Sequence, residues 1–291
     1  MTEDQHMIER ARADFSRARF KAFINNIWSF MQGKPNQLLS YDDVKEKLRI
    51  GGPIYRGIQT VSVKQIAGSL NRYHQFDRAF LPTQTQTAER WQRVNLAFYT
   101  DVSLPPVVLY KVGEVYFVVD GHHRVSVARE QGQIDIEAEV RECATKVNIT
   151  PNIRIEDIEV LSAKVDFLER TGLDRIRPDA NIKLNIPDGF SRMLEHIAVH
   201  KYFMGIEQQR DISDEEAVAD WCDRVYLPII ESIRKSEILD EFPDQTEGDL
   251  YLWVLDRQHY LHETNGLDLK PPQEAARDYI KNQKNVNEEL E

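Results

Sequence analysis

The spacing of apolar positions changes period several times along the chain, and each change predicts an element. Met7, Ile8, Ala11, Phe15, Ala18, Ile24, Ile27 and Trp28 follow helical spacing and predict a helix over 7–31, ended by Gly33-Lys-Pro35. Ser40-Tyr-Asp-Asp43 resembles a capping box and starts a short helix to Leu48. Gly51-Gly-Pro53 then breaks the pattern. Ile58 to Val63 alternates as a strand does, Lys64 to Ala67 reads as a helical turn, and Gly68 to Arg72 reads as a loop. Ala88 to Tyr99 returns to a helical period. Pro105-Pro106 leads sharply into the apolar run Val107 to Tyr110, Lys111-Val-Gly-Glu114 reads as a hairpin turn, and Tyr116 to Val119 is a second apolar strand. A helix follows to Gly132, then a half-buried strand from Ile134 to Val140. Beyond Pro151 the period is helical: 156–170, 190–204 stopped by Gly205, a helix capped by Ser213-Asp-Glu-Glu216 and interrupted near Pro228, and 250–260. Asn181 to Ile186 reads as a short strand, and Lys270-Pro-Pro272 opens a polar tail. No internal repeat is visible.

The fold class expected is α+β: a small mixed-sheet domain followed by a mainly helical C-terminal domain. The divisions are an N-terminal helical segment over residues 1–50, a compact sheet domain over 51–145, and a helical domain with polar tail over 146–291. Charge sharpens the last division. Of the net −11, residues 1–50 carry +2, residues 51–142 carry zero and residues 143–291 carry −13. An acidic C-terminal half disfavours nonspecific contact with nucleic acid, though a local basic patch is compatible with it. The polar side of the first helix, with Arg10, Arg12, Arg17, Arg19 and Lys21, reads as a solvated face balanced by Glu9 and Asp14, or as a surface for nucleic acid or a partner. A hydrophobic content of 41% supports a core, and no run approaches a membrane span. The opening residues lack the basic start and apolar stretch of a signal peptide, and two distant cysteines show no metal or redox spacing. The expected location is therefore a reducing cytoplasm. The apolar face of the first helix needs cover, either from the C-terminal helices or from a second subunit in a homodimer.

The candidate chemistry lies where the strand ending at Val119 turns through Asp120-Gly121 into His122-His123-Arg124. A helix start offers unpartnered N–H groups and the positive end of the dipole, which together suit an anion. Gly121 allows close approach of a ligand. Arg124 offers a fork of donors for phosphate oxygens, and His122 and His123 offer ring nitrogens that titrate near neutral pH. Asp120 reads equally as a helix cap and as a ligand for a divalent ion such as Mg²⁺. Arg72 and Lys111 are further phosphate candidates. His196 and His200, one turn apart, make a weak metal pair, as do His259 and His262.

Strand, loop, helix, Pro-Pro strand, hairpin and the Asp120-Gly-His-His-Arg124 turn together resemble the ParB/sulfiredoxin superfamily over roughly residues 54–142. Phe76-Asp-Arg-Ala-Phe-Leu-Pro82, the segment from Asp120 to Ala128, and Asp249-Leu-Tyr-Leu-Trp253 are similar to phrases in bacterial ParB-like nuclease-domain proteins of unknown role. The resemblance implies a nucleotide at this helix start: CTP as in partition ParB proteins, or ATP or ADP. Gly121 and Arg124 match the partition ParB turn, while His122 and His123 replace its Glu and first Arg. Gly121, His123 and Arg124 match the sulfiredoxin turn, but His122 replaces its cysteine, which removes sulfinic-acid reduction by that route. Free serine kinases of this fold carry a similar Asp-Gly-His-His-Arg segment and need a carboxylate base in an earlier loop, a role the resemblance leaves to Asp77 or Glu89. The function expected is a nucleotide-binding protein that hydrolyses or transfers a phosphate, with His122, Asp120 and Asp77 as catalytic groups and Gly121, His123, Arg124, Arg72 and Lys111 as phosphate ligands. The alternatives are a serine-type small-molecule kinase, and a nucleotide-gated module binding DNA or protein.

Overall fold

The computed structural model describes residues 3–33 and 35–265, with side chains described over 5–33 and 35–257. The tail after Lys270 and the side chains of His259 and His262 lie outside the described residues. The chain divides into two compact units, Met1–Ile158 and Glu159–Glu291. The fold class is the expected one, a mixed sheet with helices in the first unit and a helical second unit. No helix among the described residues is long and apolar enough to cross a membrane.

The first unit begins with α1 (Glu3–Met31) and contains β1 (Leu39–Ser40), α2 (Tyr41–Lys47), β2 (Pro53–Ser62), β3 (Ile66–Ser69), α3 (Ala88–Tyr99), β4 (Val107–Val112), β5 (Val115–Asp120), α4 (His122–Glu130) and β6 (Asp135–Cys143). The six strands lie in the order β1-β3-β5-β4-β6-β2. β5 is central because it is apolar and buried from Val115 to Val118, and it pairs parallel with β3 and antiparallel with β4. β4 in turn runs parallel to β6.

Two short strands depart from the expected pattern. Ile66 to Ser69, read as a turn and loop, is β3, buried along its whole length. Gly68 is needed there, since a Cβ would meet the Phe117 ring at 2.2 Å. A fully buried four-residue strand carries no alternation to reveal it. β1 went unread for the same reason: it is two residues long. β2 starts earlier than expected, and its ladder with β6 is interrupted by a bulge between Tyr55 and Ile58.

α4 covers the sheet. Val125 joins the core of Leu109, Val118 and Val140, while Val127 joins Phe15, Ala18, Ala22, Leu81 and Trp91, which bind α1 and α3 to the same unit. Trp91 donates from its indole N–H to Ser126 Oγ at 2.9 Å and so fixes α3 against α4. Residues beyond β6 stay with this unit: Arg78 donates to the Ile153 carbonyl at 2.6 Å, and Glu114 N–H to that of Ile149 at 3.0 Å.

α5 (Ile155–Thr171) spans the boundary between the units. The second unit continues with α6 (Leu173–Ile176), α7 (Asp188–Gln208), α8 (Asp214–Trp221), α9 (Leu227–Ser236) and α10 (Glu247–Asn265). α7 runs through Gly205 and stops at Gln209, which takes a left-handed conformation. The interruption expected near Pro228 is a π turn over Cys222–Tyr226 between α8 and α9. Asn181 to Ile186 is not a strand. Its backbone polar groups go to the start of α10: Thr246 Oγ1 donates to the Lys183 carbonyl at 2.7 Å, and Asn185 N–H donates to Asp249 Oδ1 at 3.1 Å.

Candidate functional site

The C-terminal end of β5 delivers the predicted turn. Gly121 has φ +95°, where a side chain is strained, and an added Cβ would meet Val107 Cγ1 at 2.6 Å and the Arg124 guanidinium at 2.9 Å. The glycine therefore does two things: it turns the chain into α4, and it leaves room for Arg124 to fold back beneath it. Val125 N–H reaches the Gly121 carbonyl at 3.0 Å. The earlier N–H groups of α4 have no carbonyl within the helix to bond, and they mark its positive end.

Arg124 braces this turn. Its Nη1 donates to the carbonyls of Pro105 and of Pro106, the latter at 3.0 Å, and its Nη2 donates to Asp120 Oδ2 at 2.6 Å. Asp120 is thus held by Arg124, and the residue at the cap position is Gly121.

A cavity of about 220 Å³ opens at the start of α4, lined by Arg72, Arg90, Val94, Leu104, Pro105 and the residues from Asp120 to Arg124. Among the described residues, neither Arg72 nor Arg90 has an ion-pair partner. A second cavity of about 470 Å³ adjoins it, sharing Val94, Leu104, Pro105 and Arg124. Its walls are apolar at Ala97, Phe98, Val102 and Pro106, with carboxylates at Asp101, Asp135 and Glu137.

Both histidines are buried. His122 Nε2 lies 2.7 Å from Ser69 Oγ, and its ring stacks on Phe76 at 6.2 Å. The Ser69 hydroxyl donates to the Leu70 carbonyl at 3.2 Å, which leaves His122 Nε2 to donate to Ser69 Oγ. Ser69, itself fully buried, also receives Arg72 N–H at 3.3 Å. Burial, then the positive charge of Arg72 and the competing protonation of His123, push His122 down to about 4. His123 meets Phe76 edge-on at 5.4 Å, and its Nδ1 is buried with no partner. Burial, then Arg90 and Arg72, push it down to about 4 as well. The expectation that these rings titrate near neutral pH is therefore corrected: both are uncharged there.

The structure brings together Asp120, Gly121, His122, His123, Arg124 and Arg72, and it adds Arg90, which the sequence reading did not single out. Arg90 precedes Trp91, whose bond to Ser126 sets α3 beside α4. An exposed arginine next to a buried tryptophan is the signal, but it shows nothing until the two helices are paired. Three candidates lie elsewhere. Lys111 sits near the hairpin end of β4 and faces Glu142 at 3.6 Å. Asp77 is buried outside this cavity, where Leu81 N–H donates to it at 2.8 Å and Asn25 Nδ2 at 3.0 Å, so it pins the loop before α3. Burial raises its carboxyl pKa against those bonds. Glu89, exposed in the first turn of α3, is not among the lining residues.

The residues present do not fit a metal held by the protein. Asp120 is the one carboxylate lining the smaller cavity and is already paired with Arg124, and the described residues hold no cluster of three His, Cys, Asp or Glu. In the second unit, His196 Nδ1 lies 3.1 Å from the Tyr251 hydroxyl, and His200 Nε2 lies 2.7 Å from Asp220 Oδ2. The two rings serve separate packing contacts.

No family model matches the chain, and no curated protein matches it. Among solved structures it is similar to one titled "Structure of the C2221 form of Pnob8-like ParB-N domain", at 10% identity, covering 79% of this chain and 98% of that one, with a TM-score of 0.22. At that score the likeness carries no weight, and the fold rests on the strand order and helix packing described above.

Proposed function

We propose that this chain is a nucleoside-phosphate-binding protein of the ParB/sulfiredoxin-like class, with phosphate oxygens held at the start of α4 between Arg72 and Arg90. One observation carries the reading: two guanidinium groups without ion-pair partners share a small cavity with the positive end of a helix. A dianion there gains charge-assisted bonds of about 1.5–3 kcal/mol each. The nucleoside takes the adjoining cavity, whose apolar walls suit a flat ring. Asp101, Asp135 and Glu137 offer acceptors for sugar hydroxyls or for the exocyclic amino group of cytosine or adenine. Arg124 supports the site by fixing the turn.

The binding role is favoured over hydrolysis or phosphate transfer because of His122. Its Nε2 is occupied by Ser69 and its proton affinity is low, which suits a rigid support better than a general base at neutral pH. The test is calorimetry with CTP, ATP, ADP and inorganic phosphate, on the parent and on Arg72→Ala and Arg90→Ala, with phosphate release followed in parallel. The expected result is affinity lowered roughly tenfold or more by each change. Equal affinity in folded variants overturns the site.

A further inference from the structure

The C-terminal half of α1 presents a large uncovered apolar surface. Phe20, Phe23, Ile27, Trp28, Phe30 and Met31 are between 41% and 87% exposed. At about 100° per residue they fall within an arc of roughly 160°, so they form one face. The other side of the helix is already occupied, with Phe15, Ala18 and Ala22 packed against Leu81 and Trp91. From Ala22 to Met31 there is no charged residue. A Phe or Trp side chain offers about 150–250 Å², which gives a patch of roughly 600–800 Å². A typical monomer shows at most about 300–600 Å² in one patch, whereas each partner in a standard interface contributes about 800 Å².

Area and charge together select the occupant. Residues 1–50 carry +2 and residues 51–142 carry none, so two copies can bring this face together without strong repulsion. The other exposed aromatic pair, Tyr202 and Phe203 on α7, belongs to the half that carries −13, and copies of that half repel. We propose that α1 pairs with α1 of a second copy, antiparallel about a two-fold axis, and that the chain is a homodimer through its N-terminal unit.

Sedimentation of the full-length chain at about 10 μM tests this. The parent is expected to run as a dimer, and to remain one in about 1 M salt, where exposed charges are screened within roughly 3 Å. The double variant Trp28→Asp, Phe30→Asp is expected to be monomeric with an unchanged far-ultraviolet spectrum, while Tyr202→Asp, Phe203→Asp stays dimeric. Should the first variant misfold, Phe30→Ser, at the most exposed of the six positions, is expected to weaken the dimer at least tenfold. A monomeric parent, a dimer indifferent to Trp28 and Phe30, or a dimer lost through Tyr202 and Phe203 overturns the proposal.

Discussion

The buried histidines at the turn make the first unit sensitive to acid, and the size of the effect follows from the site. In the unfolded chain His122 titrates near 6.5; in the folded unit burial and the neighbouring cations hold it at about 4. The folded value lies below the unfolded one, so between these two values the unfolded chain binds more protons. The contribution of neutral His122 is therefore complete above pH 6.5 and is lost as pH falls toward 4. Linkage over that interval gives about 2 kcal/mol lost between pH 7 and pH 5 for this residue alone. Replacing His122 with Gln keeps an amide N–H able to donate to Ser69 Oγ while removing the titration. Urea unfolding of the first unit, followed at pH 7, 6 and 5, is expected to show the parent losing stability more steeply than His122→Gln by about that amount. Parallel stability curves for the two proteins would show that the ring is not held neutral by its surroundings, and the account of the turn would be wrong.

Further tests address neighbouring residues. Gly121→Ala is expected to destabilise the first unit by roughly 2–4 kcal/mol in denaturant, from left-handed strain plus the clash with Val107 and Arg124. A bound phosphate favours the charged form of His123, so the ratio of parent to His123→Asn phosphate affinity, in which the phosphate's own protonation cancels, is expected to rise by calorimetry as pH falls from 7 to 5. Lys111→Ala is expected to leave nucleotide affinity unchanged, since its ammonium faces Glu142 away from the cavity. Asp77→Ala is expected to lower the urea midpoint through loss of its bonds to Leu81 and Asn25, with little effect on ligand affinity.

What could be read from the sequence divides along a physical line. The strand-glycine-helix turn was legible because its signals are local: an apolar run, one Asp-Gly break and a helical period afterwards. The capping boxes at Ser40 and Ser213 were legible for the same reason, and each hydroxyl accepts from the N–H three residues on. Arg72 was singled out from a loop crowded with ligand-like groups, and the structure places it beside the turn. The working partner of Arg124 was not legible, because two proline carbonyls hold its fork and a carbonyl leaves no mark on residue identity. Arg90 and Ser69 reach the site through packing of α3 and pairing of β3, both contacts between distant stretches. Lys111 lies apart from the turn, near the hairpin end of β4, because a strand pattern fixes which face a residue takes but not its distance from another segment.

The bulge in β2 has a consequence for the fate of the chain at high concentration. β2 ends the sheet, so one side of its backbone is unpaired, and Ile54, Tyr55 and Ile58 are exposed along it. A straight strand of that composition would template the addition of foreign strands and seed aggregates. Gly57, at φ +85° between Tyr55 and Ile58, interrupts the ladder, and Arg56 beside it is held by Glu142 at 2.9 Å. The irregularity spoils the regular run of donors and acceptors that an incoming strand would need. The irregularity at Gly57 thus guards the open edge of the sheet against strand addition, and straightening it would expose a regular ladder to incoming chains.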